Sequence, residues 1–198
     1  MNVNAAERST TAQGPAPGET EHHSLALVNT EYELPSGPHD GLPDVAAAGR
    51  WLRERGLAPV GTLSQTELRR LRLLREATRE IFSAHIEGER PTKPALECFN
   101  DALAAAPGVR ELTWSAKGPR VAVGDRPGTR LEAALTQLAE DGAALLTGPS
   151  ATKLSTCGAT GCTRLFIRSH AARRWCSDRC GNRVRAARHY AERDRAVH

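Results

Sequence analysis

The chain has 198 residues, only eight of them aromatic, and a formal net charge of +4. This length allows one domain of ordinary size with a small module beside it, and the shortage of aromatic residues means that any core is built mostly from Leu, Ala and Val. No apolar run approaches the roughly 20 residues that a membrane span requires. The chain also lacks the basic and apolar start of a signal peptide, so we expect a soluble, cytoplasmic protein.

Residues 1–23 are polar and carry several Gly and Pro residues, and they offer too little apolar surface to offset the entropy of ordering. We therefore expect a disordered tail over this range. The segment Ser24–Tyr32 is the first apolar one, and it is short enough to be a strand or a helical turn. A loop rich in Pro and Gly follows it.

Capping residues followed by apolar residues at steps of three and four predict four helices in the region 24–148. They begin or are capped at Asp44, Ser64, Thr92 and Thr129, and the first three end near Arg55, Glu87 and Ala106. Alternating residues in 109–115 and 120–123 predict a β-hairpin about Lys117-Gly118. Gly148-Pro149-Ser150 marks the boundary with the next domain, 149–198.

Four of the five cysteines lie close together near the C-terminal end, at Cys157, Cys162, Cys176 and Cys180. Two close pairs separated by a loop can supply four thiolates at the corners of a tetrahedron, which predicts a structural Zn²⁺ site. Two disulfides, redox-active thiols or unligated core residues are the alternatives. Disulfides are rare in the cytosol. The isolated Cys98 is expected to be a small buried hydrophobic residue.

The residues around these cysteines predict a treble-clef-like module. Residues 165–167 are expected to form a strand that pairs with a returning strand at 173–175, and a helix should run from Ser177 to about Arg195. Val184, Ala187 and Ala191 recur on one side of that helix, so we expect them to face the hairpin. The fold class is therefore α+β and mainly α: a helical N-terminal domain with a small β-hairpin, plus this C-terminal zinc finger.

The charge is unevenly distributed along the chain. Residues 151–198 hold eleven Lys or Arg against three acidic residues, a net charge of +8, which leaves −4 on residues 1–150. Concentrated guanidinium groups neutralise phosphates and release counterions, so this segregation favours binding to nucleic acid.

Arg174-Trp175-Cys176-Ser177 and Cys180-Gly181-Asn182-Arg183 resemble the signature of the CGNR zinc finger. The resemblance implies zinc binding and a DNA-binding module of bacterial transcription regulators. On the predicted helix, Asn182 and Arg185 are the candidates for contacts with base edges, because amide and guanidinium groups make bidentate bonds to bases. The other candidate nucleic-acid contacts, to phosphate or as a brace of the finger, are Arg173, Arg174, Arg183 and Arg188.

The N-terminal region resembles a second family. The stretch LALVNT at 25–30, Trp51-Leu52 before Gly56-Leu57, and the stretch LREA at 74–77 are similar to the ABATE domain, described as a stress-induced regulator. Asn29, Thr30 and Arg75 are the candidates for a polar ligand site in this domain. The alternative is that Asn29 and Thr30 bond local backbone and that Arg75 pairs with a carboxylate.

These observations together predict a zinc-dependent DNA-binding transcription regulator of bacterial origin. An RNA-binding or ribosome-associated zinc protein is the first alternative, because arginine-rich segments also serve RNA. A thiol or zinc redox sensor is the second. No Gly-rich phosphate loop, nucleophile elbow or paired catalytic motif is present in the sequence, so we do not expect an enzyme.

Overall fold

The computed structural model describes residues 14–57, 62–108, 110–123 and 129–197. Residues 1–13 of the predicted tail and Val109 of the predicted hairpin lie outside this part. The helices are α1 (His23–Val28), α2 (Val45–Glu54), α3 (Gln65–Glu87), α4 (Lys93–Ala105), α5 (Arg130–Thr147) and α6 (Asp178–Val197). The strands are β1 (Glu31–Leu34), β2 (Gly37–Asp40), β3 (Arg110–Ser115), β4 (Gly118–Val123), β5 (Leu154–Thr156) and β6 (Leu165–Ile167).

Helix α3 is the centre of the N-terminal domain and packs against α1, α2, α4 and α5. The predicted capping box is confirmed, because the Ser64 hydroxyl accepts from the Glu67 backbone N–H while the Glu67 carboxylate accepts from the Ser64 N–H. Gly88 takes a left-handed conformation, with φ of 73°, and ends the helix. The principal core lies between α2, α3, α4 and α5, and Leu, Ala and Phe side chains fill it. Within the described ranges, no helix is long and apolar enough to cross a bilayer.

The predicted helices and the predicted β3–β4 hairpin are confirmed, and the strands show two further features that the sequence did not predict. The loop rich in Pro and Gly contains an antiparallel hairpin, β1–β2, that turns at Gly37 with φ of 115°. In the β3–β4 hairpin, the apolar residues Leu112, Trp114 and Val121 are 72%, 76% and 66% exposed.

Residues 14–22 form turns that pack against the C-terminal module, instead of the disordered tail expected from their composition. Ala16 is only 1% exposed and belongs to the same apolar cluster as the four clustered cysteines. The Pro17 carbonyl oxygen accepts a hydrogen bond of 2.8 Å from the Ile167 N–H. Gly18 lies so close to Ile167 that a Cβ atom would stand 2.7 Å from that side chain. The order of this segment therefore depends on residues about 150 positions away.

The C-terminal hairpin also differs from the predicted one. Strand β6 pairs with β5, which precedes the first cysteine, with Leu154 opposite Ile167 and Thr156 opposite Leu165. Residues 173–175, which were predicted to form the returning strand, have no strand conformation. The other edge of β6 is already occupied, because the Leu165 and Ile167 N–H groups bond to Asn29 and Pro17.

Asn29, at the C-terminal end of α1, joins the two domains through its side-chain amide. Its Oδ1 accepts from the Leu165 N–H at 2.9 Å, and its Nδ2 donates to the Leu165 carbonyl oxygen at 2.8 Å. Asn29 thus gives β6 the pair of hydrogen bonds that a neighbouring strand would give. Leu165 and Leu154 pack beside it on side chains of α1, α3 and α5, in a cluster that includes Leu25, Val28, Phe82 and Leu145.

Two arginines, the half-buried Arg79 and the buried Arg164, add polar contacts at the same junction. Arg79 of α3 donates to the carbonyl oxygens of Val28, Glu31 and Thr163. Arg164 donates to Glu19 Oε1 at 2.6 Å, and its side chain is only 3% exposed. Burial opposes the charge of Arg164, but the Glu19 carboxylate outweighs it and raises the pKa of Arg164. The two domains therefore meet through buried and mostly paired groups.

Replacing Asn29 with Ala should destabilise the protein by about 3 kcal/mol, because it leaves the buried N–H and C=O of Leu165 without partners. Chemical unfolding of the full chain would measure this change. Asn100→Ala is the matched control, since Asn100 is exposed on α4, and it should change the free energy of unfolding by less than about 0.5 kcal/mol. Equal stability of the two variants would contradict the assigned role of Asn29.

Candidate metal centre and nucleic-acid interface

The four clustered cysteines are brought together by three different local structures. Cys157 follows β5, and Cys162 ends a short turn in which Gly161 has a φ of 70°. Cys176 lies just before α6, and Cys180 lies in its first turn. All four are buried, and their sulfur atoms lie within 4.8 Å of one another. The sequence prediction that these residues share one site is consistent with this geometry.

The spacing of the sulfur atoms fits a tetrahedral zinc site. Zinc–sulfur bonds of about 2.3 Å imply sulfur–sulfur separations of about 3.8 Å at the corners of a tetrahedron. The Cys176 sulfur lies 3.8 Å from the sulfurs of both Cys162 and Cys180. A disulfide would require about 2.05 Å, and all four cysteines are free thiols. This geometry therefore fits a metal site and not a pair of disulfides.

The protonation of the cluster also calls for a cation. A hydrogen bond with the Cys157 sulfur raises the pKa of Cys162 to about 11, and the same kind of bond raises the pKa of Cys176. Hydrogen bonds from Cys162 and Cys176 in turn lower the pKa of Cys157. Four thiolates so close together repel one another, so they ionise together only when a metal displaces their protons. The protein thus has a zinc finger, and the clustering of Cys157, Cys162, Cys176 and Cys180 is consistent with Zn²⁺ binding at this site.

The signature residues beside Cys180 have separate roles. A Cβ atom on Gly181 would lie 3.2 Å from the Trp175 ring, so glycine allows this indole to pack against α6. The Arg183 guanidinium donates to the Thr160 carbonyl oxygen at 3.0 Å and ties α6 to the first cysteine turn. Arg185 lies over the Trp175 ring, 5.8 Å from its centroid, and donates to Asn182 Oδ1.

The candidate nucleic-acid residues fall into two groups by exposure. Arg174, Asn182, Arg185 and Arg188 are exposed. Arg173 and Arg183 are half-buried, and the Arg173 Nε donates to the Trp175 carbonyl oxygen at 3.1 Å. The expectation that Ala187 and Ala191 face the hairpin is wrong, because only Val184 packs into the finger and α6 projects beyond it.

The three candidates for a polar ligand site lie close together, although protein groups hold all of their side-chain polar atoms except the buried Arg75 Nε. Thr30 donates to the Leu27 carbonyl oxygen and accepts from Arg75 at 3.2 Å. Arg75 also pairs with Asp40 at 2.7 Å and with Glu31 at 3.2 Å. Asn29 and Thr30 line a cavity of about 510 Å³, whereas Arg75 is not on its wall. Sequence reasoning missed Glu19, Arg79 and Arg164, since an isolated charged residue carries no signal of a distant partner.

A buried four-cysteine zinc finger fused to a mainly helical domain defines the class of this protein. The chain belongs to the ABATE family, whose model, described as "Putative stress-induced transcription regulator", matches residues 21–149. The model of the CGNR zinc finger matches residues 153–193. Neither is a family of enzymes. A search of curated proteins found no match.

Replacing Cys176 with Ser should reduce the zinc content from one ion per chain towards zero, because three thiolates leave the tetrahedron incomplete. Elemental analysis of the purified chain measures this content, and Cys98→Ser, outside the cluster, should retain one ion. Structural zinc contributes on the order of 10 kcal/mol to such sites. Amide exchange should therefore accelerate in residues 157–184 while α3 stays protected. Full zinc occupancy in Cys176→Ser would refute the ligand assignment.

Proposed function

We propose that the protein is a DNA-binding transcription regulator whose zinc finger holds α6 in position to contact the duplex. The observation that carries this proposal is the exposure of α6, where every residue from Arg185 to Arg193 is accessible. The part from Arg185 to Val197 is about 20 Å long at 1.5 Å per residue. A helix of this size can enter the major groove of B-DNA, which is about 12 Å wide. A bacterial origin, a response to stress and a cytoplasmic location belong to the same proposal.

The Asn182–Arg185 pair supports base contacts by α6. Both side chains are exposed, and the stacking of Arg185 on Trp175 restricts them before any ligand binds. Restricted side chains lose less entropy when they form bidentate bonds to a base. We therefore assign base recognition to Asn182 and Arg185.

A groove beside α6 supports contacts with the phosphate backbone. It has a volume of about 410 Å³, and the first cysteine turn and one side of α6 form its walls. Arg183 and Arg188 line this groove, together with the small residues Ala187 and Ala191. Small side chains between two guanidinium groups allow a phosphate backbone to approach closely. We assign phosphate contacts to Arg188, to the exposed Arg174 and to the half-buried Arg173. Arg183 mainly braces the finger.

A salt titration tests the phosphate contact. Arg188→Ala should weaken binding to all duplexes and flatten the slope of log Kobs against log salt by about one unit, since one fewer counterion is released. Fluorescence anisotropy with a labelled random-sequence duplex measures this slope. Arg69→Ala is the matched control, because Arg69 is exposed on α3 and remote in sequence from the finger, and it should behave as the wild type.

Arg185→Ala tests base recognition separately. After selection of a preferred duplex from a random pool, this variant should lose about 1–3 kcal/mol of discrimination between the selected and a scrambled sequence. Its salt slope should change little. If the variant discriminates between the two sequences as well as the wild type does, Arg185 does not recognise bases.

The same assay separates DNA from the alternatives. Tighter binding to a structured RNA than to any duplex DNA would favour the RNA-binding alternative. If the wild type binds neither nucleic acid at low salt, α6 is a protein-interaction element instead. Burial shields the cysteine sulfurs from oxidants, so zinc release at low peroxide would be needed to support the redox-sensor alternative.

A further inference from the structure

The cavity lined by Asn29 and Thr30 lies at the junction of the two domains. Its volume of about 510 Å³ is within the range of sites for small molecules. Residues 14–20, the end of α1, the β1–β2 hairpin and α2 all contribute to its wall, and Arg164 contributes from the zinc finger. A molecule in this cavity would therefore contact both domains at once.

Aromatic rings form flat parts of the wall. Tyr32 and Trp51 are 7% and 8% exposed, so most of each ring is fixed by packing. The Tyr32 and His39 ring centroids are 4.6 Å apart. Because His39 and Arg164 lie against Tyr32 and Arg55 lies over Trp51, only a small part of each ring can contact a bound unsaturated group, through dispersion.

The wall also carries a guanidinium group whose N–H groups form no hydrogen bond with the described residues. Arg55, at the end of α2, lies over the Trp51 ring, 4.3 Å from its centroid. Across the described residues, the Arg55 guanidinium group makes no hydrogen bond and no ion pair, although the Arg55 backbone N–H bonds to the Leu52 carbonyl oxygen. Burial lowers the pKa of Arg55, and the nearby Glu19 and Glu54 carboxylates offset only part of this effect, so a partly desolvated charge lies at this position. Since the N–H bonds lie in the plane of the guanidinium group, stacking on Trp51 does not block them.

The other charged groups in the cavity wall are either paired within the protein or exposed at the rim. Glu19 is engaged by Arg164 and Asn29, both at 2.6 Å, so its charge is compensated within the protein. Glu54 and Arg50 are exposed at the rim of α2. The polar atoms of Asn29 and Thr30 bond to protein groups. Arg55 is thus the group best placed to bind an anion inside the cavity.

We infer that the cavity binds a small organic anion with an unsaturated body, whose acidic group bonds to Arg55 and whose body contacts the small exposed parts of Trp51 and Tyr32 in the wall. A guanidinium group matches the geometry of a carboxylate or sulfonate, which can accept two parallel N–H bonds. The inference gives the ABATE domain a class of ligand and does not depend on DNA binding by α6.

The test uses 8-anilinonaphthalene-1-sulfonate, a flat anion whose fluorescence increases in an apolar site. The full-length wild type should bind one molecule saturably, and Arg55→Gln should weaken binding about tenfold or more because it removes the charge-assisted bonds. Arg53→Gln is the matched control, since Arg53 is exposed on the same helix and does not line the cavity. This control should bind as the wild type does.

Two further arms locate the site and test the need for charge. Ala47→Phe should abolish binding without altering Arg55, because Ala47 lines the cavity and a larger side chain fills it. The uncharged analogue N-phenyl-1-naphthylamine should bind Arg55→Gln and the wild type equally. Equal affinity of Arg55→Gln and Arg53→Gln for the sulfonate overturns the inference. Loss of binding only in Trp114→Ala also overturns it, because the probe would then bind the exposed face of the β3–β4 hairpin.

Discussion

The amide of Asn29 is the constraint on which the arrangement of the two domains depends. A strand of three residues such as β6 has few hydrogen bonds of its own, and one of its edges faces the helical domain. Asn29 satisfies both backbone groups of Leu165 at that edge, and the Pro17 carbonyl oxygen satisfies Ile167. A buried N–H or C=O without a partner costs about 1–3 kcal/mol, so other orientations of the finger are penalised. The position of the finger fixes the direction of α6 and places Arg164 in the wall of the cavity.

Arginine serves two opposite purposes within the finger. Arg164 is buried, paired with Glu19 and structural, whereas Arg185 and Arg188 are exposed on α6. The net charge of +8 over residues 151–198 counts all of them equally. The charge count therefore overstates the surface potential, and only the fold separates the guanidinium groups that hold the domains together from those that can reach a phosphate.

Local signals in the sequence were sufficient for α2 to α6 and for the clustering of the four cysteines. The capping boxes at Ser64 and Thr129 act within four residues, and the four cysteines are confined to 24 residues, so both patterns are visible without the fold. The pairing of β5 with β6 and the order of residues 14–22 were not predictable in this way. Their partners are far away in sequence, and composition alone favoured disorder for residues 14–22. The exposure of Ala187 and Ala191 was missed for a related reason, because a periodic apolar stripe does not reveal whether a surface is present to cover it.

The Glu19–Arg164 ion pair also bears on how the chain is made. It joins residues 145 positions apart, so most of the polypeptide must leave the ribosome before the contact can form. The helical domain is complete by then, while its surface at Leu25, Val28 and Phe82 still awaits Leu154 and Leu165. A chain truncated before the finger exposes this apolar surface to water, which is the kind of feature that chaperones and proteases recognise. A chain that lacks the finger therefore presents a surface that cellular quality control can recognise.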